Sequence, residues 1–181
     1  MIPDDIKELQ KLFYQTHDYL DSEKKDRVLI LGIGNYLMGD EGIGVHAIHA
    51  LDKTKLPGYV DIIDGGTGSF DLMPILAQYP LAVFIDATMD SKSPGTIDVI
   101  YPKFAKDFPT VLSAHDVGLK DMIDALEFKN ELPDIILITI SIKEMNPMSI
   151  ELTDPIKKSI PKIVDTVLDI LDKMNKIKKH P

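Results

Sequence analysis

Apolar positions along this chain alternate between two periods. Arg27 to Ile33 is a nearly unbroken apolar run, which reads as a buried strand. From Gly42 to about Lys53 the spacing becomes helical, with Ile43, Ala47, Ile48 and Leu51 on one face. Pro57-Gly58 marks a turn, and Tyr59 to Asp64 is a second strand. A helix from about Phe70 to Gln78 then leads into a third strand, Leu81 to Ile85, closed by Asp86. This β-α-β-α-β series predicts three parallel strands with right-handed crossovers.

The rhythm breaks next. Between Asp86 and the strand Thr96–Tyr101 lie nine residues, including Ser93-Pro94-Gly95. That is too short for a crossover helix, so the fourth strand is expected to run antiparallel. Pro102 to Leu112 reads as a long irregular loop, followed by a helix from about Asp116 to Leu126. Asp134 to Ser141 is a fifth strand, and Ile142 to Leu152 a loop. Thr153-Asp154-Pro155 starts the last helix, whose inner face is Ile160, Ile163, Val164, Val167, Leu168 and Leu171. Pro161 is expected to kink or restart it, and the basic tail Lys176–His180 to fray. Ahead of the first strand, Ile6, Leu9, Leu12, Phe13 and Leu20 recur at near-helical spacing. The chain therefore reads as an N-terminal helical extension, residues 1–26, and one three-layer α/β/α domain, residues 27–181.

Composition narrows the function classes. The 181 residues suffice for one domain with a real core. A net charge of −9 disfavours free nucleic acid as a partner. The absence of cysteine removes disulfides, thiolate metal sites and a cysteine nucleophile, and fits a reducing cytoplasm. No apolar run resembles a signal peptide or approaches the ~18 residues of a membrane span, so a soluble cytoplasmic protein without membrane insertion is expected.

The most informative stretch is Leu31 to Val45, with glycines at 32, 34, 39, 42 and 44 between a strand and a helix. It resembles a dinucleotide loop, but a G-x-G-x-x-G pattern needs glycine at Leu37. Asp40 and Glu41 also stand where such a loop would receive phosphate, which points towards a cation. In doubly wound sheets, functional groups gather beyond the C-terminal ends of the parallel strands. Glu41, Asp64, Asp86 and His115 all lie at or just beyond such ends. If the first and third strands are neighbours, Glu41 and Asp86 face one crevice, which His115 can reach from the long loop. Two carboxylates and an imidazole with open positions suit a divalent metal such as nickel or zinc.

Each of these residues also has a plain structural reading. Asp40 and Glu41 suit a helix N-terminus, Asp64 and Asp86 suit strand-end turns, and Ser113-Ala114-His115-Asp116 could cap a helix. His46 and His49, three apart, read as a solvated helix face. No G-x-S-x-G, H-E-x-x-H or P-loop is present. Two other function classes compete: a nucleotide-binding oxidoreductase or methyltransferase, and a non-catalytic metal-binding assembly chaperone.

As a set, Gly32-Ile33-Gly34-Asn35 through Asp40-Glu41-Gly42-Ile43-Gly44, Asp64-Gly65-Gly66-Thr67, Ile85-Asp86-Ala87 and Ser113-Ala114-His115-Asp116 with Gly118-Leu119 resemble the [NiFe]-hydrogenase maturation endopeptidases over about residues 27–172. The resemblance implies a mixed five-stranded sheet in the order 2-1-3-5-4 with strand 4 antiparallel. It implies that Glu41, Asp86 and His115 are the metal-binding residues. It further implies an endopeptidase, classed with the aspartic peptidases, that removes the C-terminal extension of a [NiFe]-hydrogenase large-subunit precursor after nickel insertion. The nickel would be supplied by the substrate and serve as the recognition feature, and other divalent cations could occupy the site in vitro. By motif position Asp40 and Asp64 are the nearest candidates for a catalytic carboxylate.

Overall fold

The computed structural model describes residues 23–102 and 116–179, with side chains for all of these except 116–118 and 177–179. Most of the expected N-terminal helix, the loop residues 103–112 and His115 lie outside the described residues. Five strands form one sheet: β1 Val28–Ile33, β2 Val60–Gly66, β3 Leu81–Thr88, β4 Ile97–Ile100 and β5 Asp134–Ser141. Their order is β2-β1-β3-β5-β4. Neighbours are parallel except β4, which is antiparallel to β5. The short β3–β4 connection crosses the end of β5, where the Gly95 N–H donates to Ser141 O (2.9 Å) and the Ser141 N–H to Thr96 O (2.9 Å). Among the described residues four α-helices cover the sheet: α1 Ile43–Leu51, α2 Met73–Leu76, α3 Asp116–Phe128 and α4 Asp154–Lys179.

Alternation along the strands divides the core in two. On one face Val28, Ile30, Val83, Ile85, Ile136 and Ile138 meet α1 and α4. On the other Leu29, Leu31, Phe84, Ile135 and Leu137 meet α2 and α3. Burying each such side chain contributes roughly 1.5–3 kcal/mol, and β1 and β3, apolar towards both layers, anchor the centre. The second helix is shorter than its pattern suggests. It begins as a 3-10 turn, Phe70–Leu72, and α2 closes after one turn. Gln78 and Tyr79 then bond to carbonyls three residues back, and Pro80 follows. α4, by contrast, runs through Pro161 as one helix. Ile156, Ile163, Val167, Ile170, Leu171 and Met174 are buried along it, and that packing outweighs the one hydrogen bond that proline forfeits. Its inner face is thus turned towards Ile170 and Met174, with Leu168 only half-buried.

Contacts at the two ends of the sheet differ in kind. At the start of β1 and β2, Asp61 accepts from Arg27 Nε (2.7 Å) and Nη2 (2.5 Å), from Lys24 Nζ (3.2 Å) and from the Tyr79 hydroxyl (2.8 Å). The Arg27 hydrogen bonds hold this carboxyl well below the ordinary range; burial opposes them, and Tyr79 and Lys24 assist. At the opposite end, where β1 passes into α1, a Cβ on Gly44 would lie 2.2 Å from Ile33 O and 2.3 Å from Ile85 O. A Cβ on Gly32 would lie 2.3 Å from Gly44 O. The start of α1 therefore packs on β1 and β3 backbone to backbone, which only glycine permits.

Two stability measurements test these ends. Because the Asp61 carboxyl is depressed in the folded state, its contribution is present at neutral pH and is lost as pH falls below about 4, the ordinary carboxylate value, towards the folded one. Urea unfolding across pH should show Asp61→Asn less stable than wild type at pH 7, with the difference shrinking in acid. Gly44→Ala should cost on the order of 1–3 kcal/mol or more by overpacking, whereas Gly58→Ala, where a Cβ meets nothing within 4 Å, should be nearly neutral.

Candidate active site

β1 connects through α1 to β2 on one side, while its other neighbour is β3. The point between β1 and β3 is therefore the topological switch of the sheet, where a crevice opens beyond the strand ends. The glycine run lies there. Gly34 has φ +139°, and a Cβ on it would stand 2.1 Å from Glu41 O. The loop thus folds tightly onto its own continuation, a 3-10 turn at Gly39–Gly42 that packs against β3. Its glycines serve close packing of the loop on its own backbone. The nucleotide reading loses its physical basis at this point.

The 3-10 turn carries Asp40 and Glu41, which are 2 % and 0 % exposed. Asp86 is also 0 % exposed, and its Oδ1 accepts from the Ala87 N–H (2.8 Å). It does not close β3 as the sequence suggested. The strand continues to Thr88, and Asp86 sits inside it opposite Thr139 of β5. By alternation Asp86 shares a face with Ala82 and Phe84, the side on which α3 packs. Carboxylates are rarely buried this fully unless they are paired or meet a cation. Two of them, Glu41 and Asp86, stand on elements that pack together at the switch point, with Thr88, Thr139 and Ser141 also buried at that end of the sheet. His115, the third expected ligand, immediately precedes α3 in sequence and lies outside the described residues. Among the described residues no group of three His, Cys, Asp or Glu side chains is placed to hold a metal ion.

The other two acids have different surroundings. Both oxygens of Asp40 are engaged by one residue: Oδ1 accepts from the Thr153 N–H and Oδ2 from the Thr153 hydroxyl, each at 2.7 Å. Asp64 stands on the rim. β2 carries an extra residue at Gly65, since Gly32 pairs with Asp64 and Ile33 with Gly66. Such a bulge bends the strand and re-aims its side chains. Asp64 Oδ1 accepts from the Gly66 N–H (2.9 Å), and Oδ2 lies 3.5 Å from His49 Nε2. The Asp64 side chain is 44 % exposed and that of His49 52 %.

His46 does not belong to a solvated face. It is half-buried, and its ring stacks on Tyr36 at 4.7 Å between centroids. Burial pushes its pKa down, with His49 acting the same way. Sequence reasoning missed this stacking and the role of Thr153. The only signal for Thr153 was its place at a helix start, which says nothing of a partner 113 positions away.

Comparison with known proteins identifies the family. A family model described as hydrogenase maturation protease matches residues 45–170. The hydrogenase 2 maturation protease of Escherichia coli is 34% identical over 148 residues, covering 80% of this chain and 90% of that protein. Among solved structures, the hydrogenase maturating endopeptidase HybD of E. coli superposes with a TM-score of 0.74 at 33% identity, over 81% of this chain and 93% of that one. HybD of Thermococcus kodakarensis, a [NiFe] hydrogenase maturation protease, gives 0.65 at 31%, over 80% and 98%. With the same α/β fold and similarity over most of its length, this chain belongs to the hydrogenase maturation protease family and is a peptidase.

Proposed function

We propose that this peptidase removes a C-terminal extension from a [NiFe]-hydrogenase large-subunit precursor after nickel has been inserted. The observation that carries the proposal is the pair of fully buried carboxylates, Glu41 and Asp86, at the switch point of a chain in this family. Together with His115 they offer two hard oxygen donors and one imidazole, a set suited to a nickel ion that the substrate brings. A precursor without its metal would present no cation for these acids to bind. That makes nickel the recognition feature and explains why cleavage would follow insertion. The cysteine-free composition and the absence of any helix long and apolar enough to cross a membrane, among the described residues, suit a client processed in the cytoplasm.

Hydrolysis requires a base to take a proton from the attacking water and an acid to protonate the departing amine. Asp64 suits the base better than Asp40. It is exposed on the rim, and one oxygen is free of backbone hydrogen bonds and faces His49. Asp40 has both oxygens committed to Thr153. The reading thus keeps an aspartate in the catalytic role that the aspartic-peptidase class would assign. A non-catalytic assembly chaperone would bind the same precursor but release no extension.

Mass spectrometry of purified nickel-loaded precursor incubated with the protein tests this. Glu41→Gln, Asp86→Asn and His115→Gln should each abolish release of the extension while circular dichroism reports an intact fold. Normal processing by all three would remove the site assignment. Metal-free precursor should be cleaved at least tenfold more slowly than nickel-loaded precursor, and equal rates would contradict nickel sensing.

A further inference from the structure

Glu41 sits on an element that cannot hold its own orientation. The 3-10 turn Gly39–Gly42 spans four residues, and no side chain caps its start. Short 3-10 segments have few and poorly aligned hydrogen bonds, so the placement of the turn that carries Glu41 depends on support from neighbouring segments. Three backbone bonds reach the turn and the loop before it from the segment after β5. The Gly39 N–H donates to Ser149 O (2.7 Å), the Ser149 N–H to Leu37 O (3.1 Å) and the Asn146 N–H to Met38 O (3.2 Å). All of these end at Gly39. Beyond it, the residue next to Glu41 makes a further cross-link. Asp40 takes both the N–H and the hydroxyl of Thr153, one residue before α4, and is itself 2 % exposed.

We infer that Asp40 is a positioning residue: with Thr153 it forms a latch that fixes the 3-10 turn to the start of α4 and so aims Glu41 into the crevice beside Asp86. A charge-assisted, two-bond contact in a part-buried setting is directional as well as strong. It ties the Glu41 turn to α4, whose inner face is packed along its length against the sheet. A displacement of about 1 Å at such a site can cost 10²-fold in rate. The role differs from that of a base in one respect. Asparagine at position 40 can keep both contacts: its oxygen accepts the Thr153 N–H, and its amide donates to the Thr153 hydroxyl, which can rotate to accept. A catalytic carboxylate has no such substitute.

The inference rests on the site reading above, and the experiment separates the two. Cleavage of nickel-loaded precursor is measured for wild type, Glu41→Gln, Asp40→Asn, Asp40→Ala, Thr153→Ser and Thr153→Val, as kcat/KM across pH, at a temperature where circular dichroism shows every variant folded. The latch predicts that Asp40→Asn and Thr153→Ser stay within about threefold of wild type with an unchanged pH profile. Asp40→Ala and Thr153→Val should lose about tenfold or more. If Asp40→Asn is as inactive as Asp40→Ala, Asp40 acts as an acid or base and the latch is overturned. If Asp40→Ala keeps wild-type kcat/KM and only its Tm falls, the contact is merely structural and the inference is equally overturned. Wild-type activity in Glu41→Gln, or no cleavage by wild type, would refute the site reading itself, and the latch would then have nothing to aim.

Discussion

The close approach of the Gly44 backbone to the carbonyl oxygens of Ile33 and Ile85 is the constraint on which the rest of the site depends. At 2.2 and 2.3 Å from a hypothetical Cβ, there is no room for any side chain. The contact draws the first turn of α1 into the gap between β1 and β3. Everything just upstream is thereby pressed into the mouth of the same crevice. Gly34 folds under Glu41 for the same reason, since a Cβ there would occupy the place of the Glu41 carbonyl oxygen. Burial of Glu41 is thus a consequence of glycine packing at the switch point, and its carboxylate is delivered to the protein interior along with the backbone that carries it.

The two ends of the sheet hold their polar groups in different ways. At the beginning of the sheet, Arg27, Lys24, Asp61 and Tyr79 satisfy one another in a partly exposed network. At the far end, the apolar faces of β3 and β5 give way to Asp86, Thr88, Thr139 and Ser141, all buried. Apolar residues there would pack at least as well. Buried polar groups raise the cost of folding unless they are paired, and here they are concentrated at the end of the sheet where the proposed site lies. The fold supplies the rigid parallel strands on which such groups can be held to a fixed geometry.

How much of this could be read from the sequence follows from the range of each interaction. The strands β1, β3 and β5 and the helix α1 rest on local periodicity. The antiparallel β4 follows from nine residues that cannot hold a crossover helix. Element lengths were less legible. α2 stops after one turn and α4 passes through Pro161, because hydrogen bonding near Pro80 in one case and a long buried face in the other decide the outcome. Asp86 looked like a strand terminus because β3 loses its apolar character there, yet its pairing with β5 carries the strand on to Thr88.

Residue types and their order determined the α/β class, the candidate acids and the glycine-rich turn, because these express local backbone preference and the periodicity of burial. The sequence could not say which acid points where. Asp40 and Glu41 are neighbours in the chain and equivalent in every local respect. The fold pairs Asp40 with Thr153, through hydrogen bonds between residues 113 positions apart, and buries Glu41 fully. Likewise Asp64 stands exposed at the rim, next to a single-residue bulge that only the pairing of β1 with β2 reveals. Side-chain roles at this site depend on partners that chain proximity does not encode, and only tertiary packing brings those partners within the few ångströms over which a hydrogen bond acts.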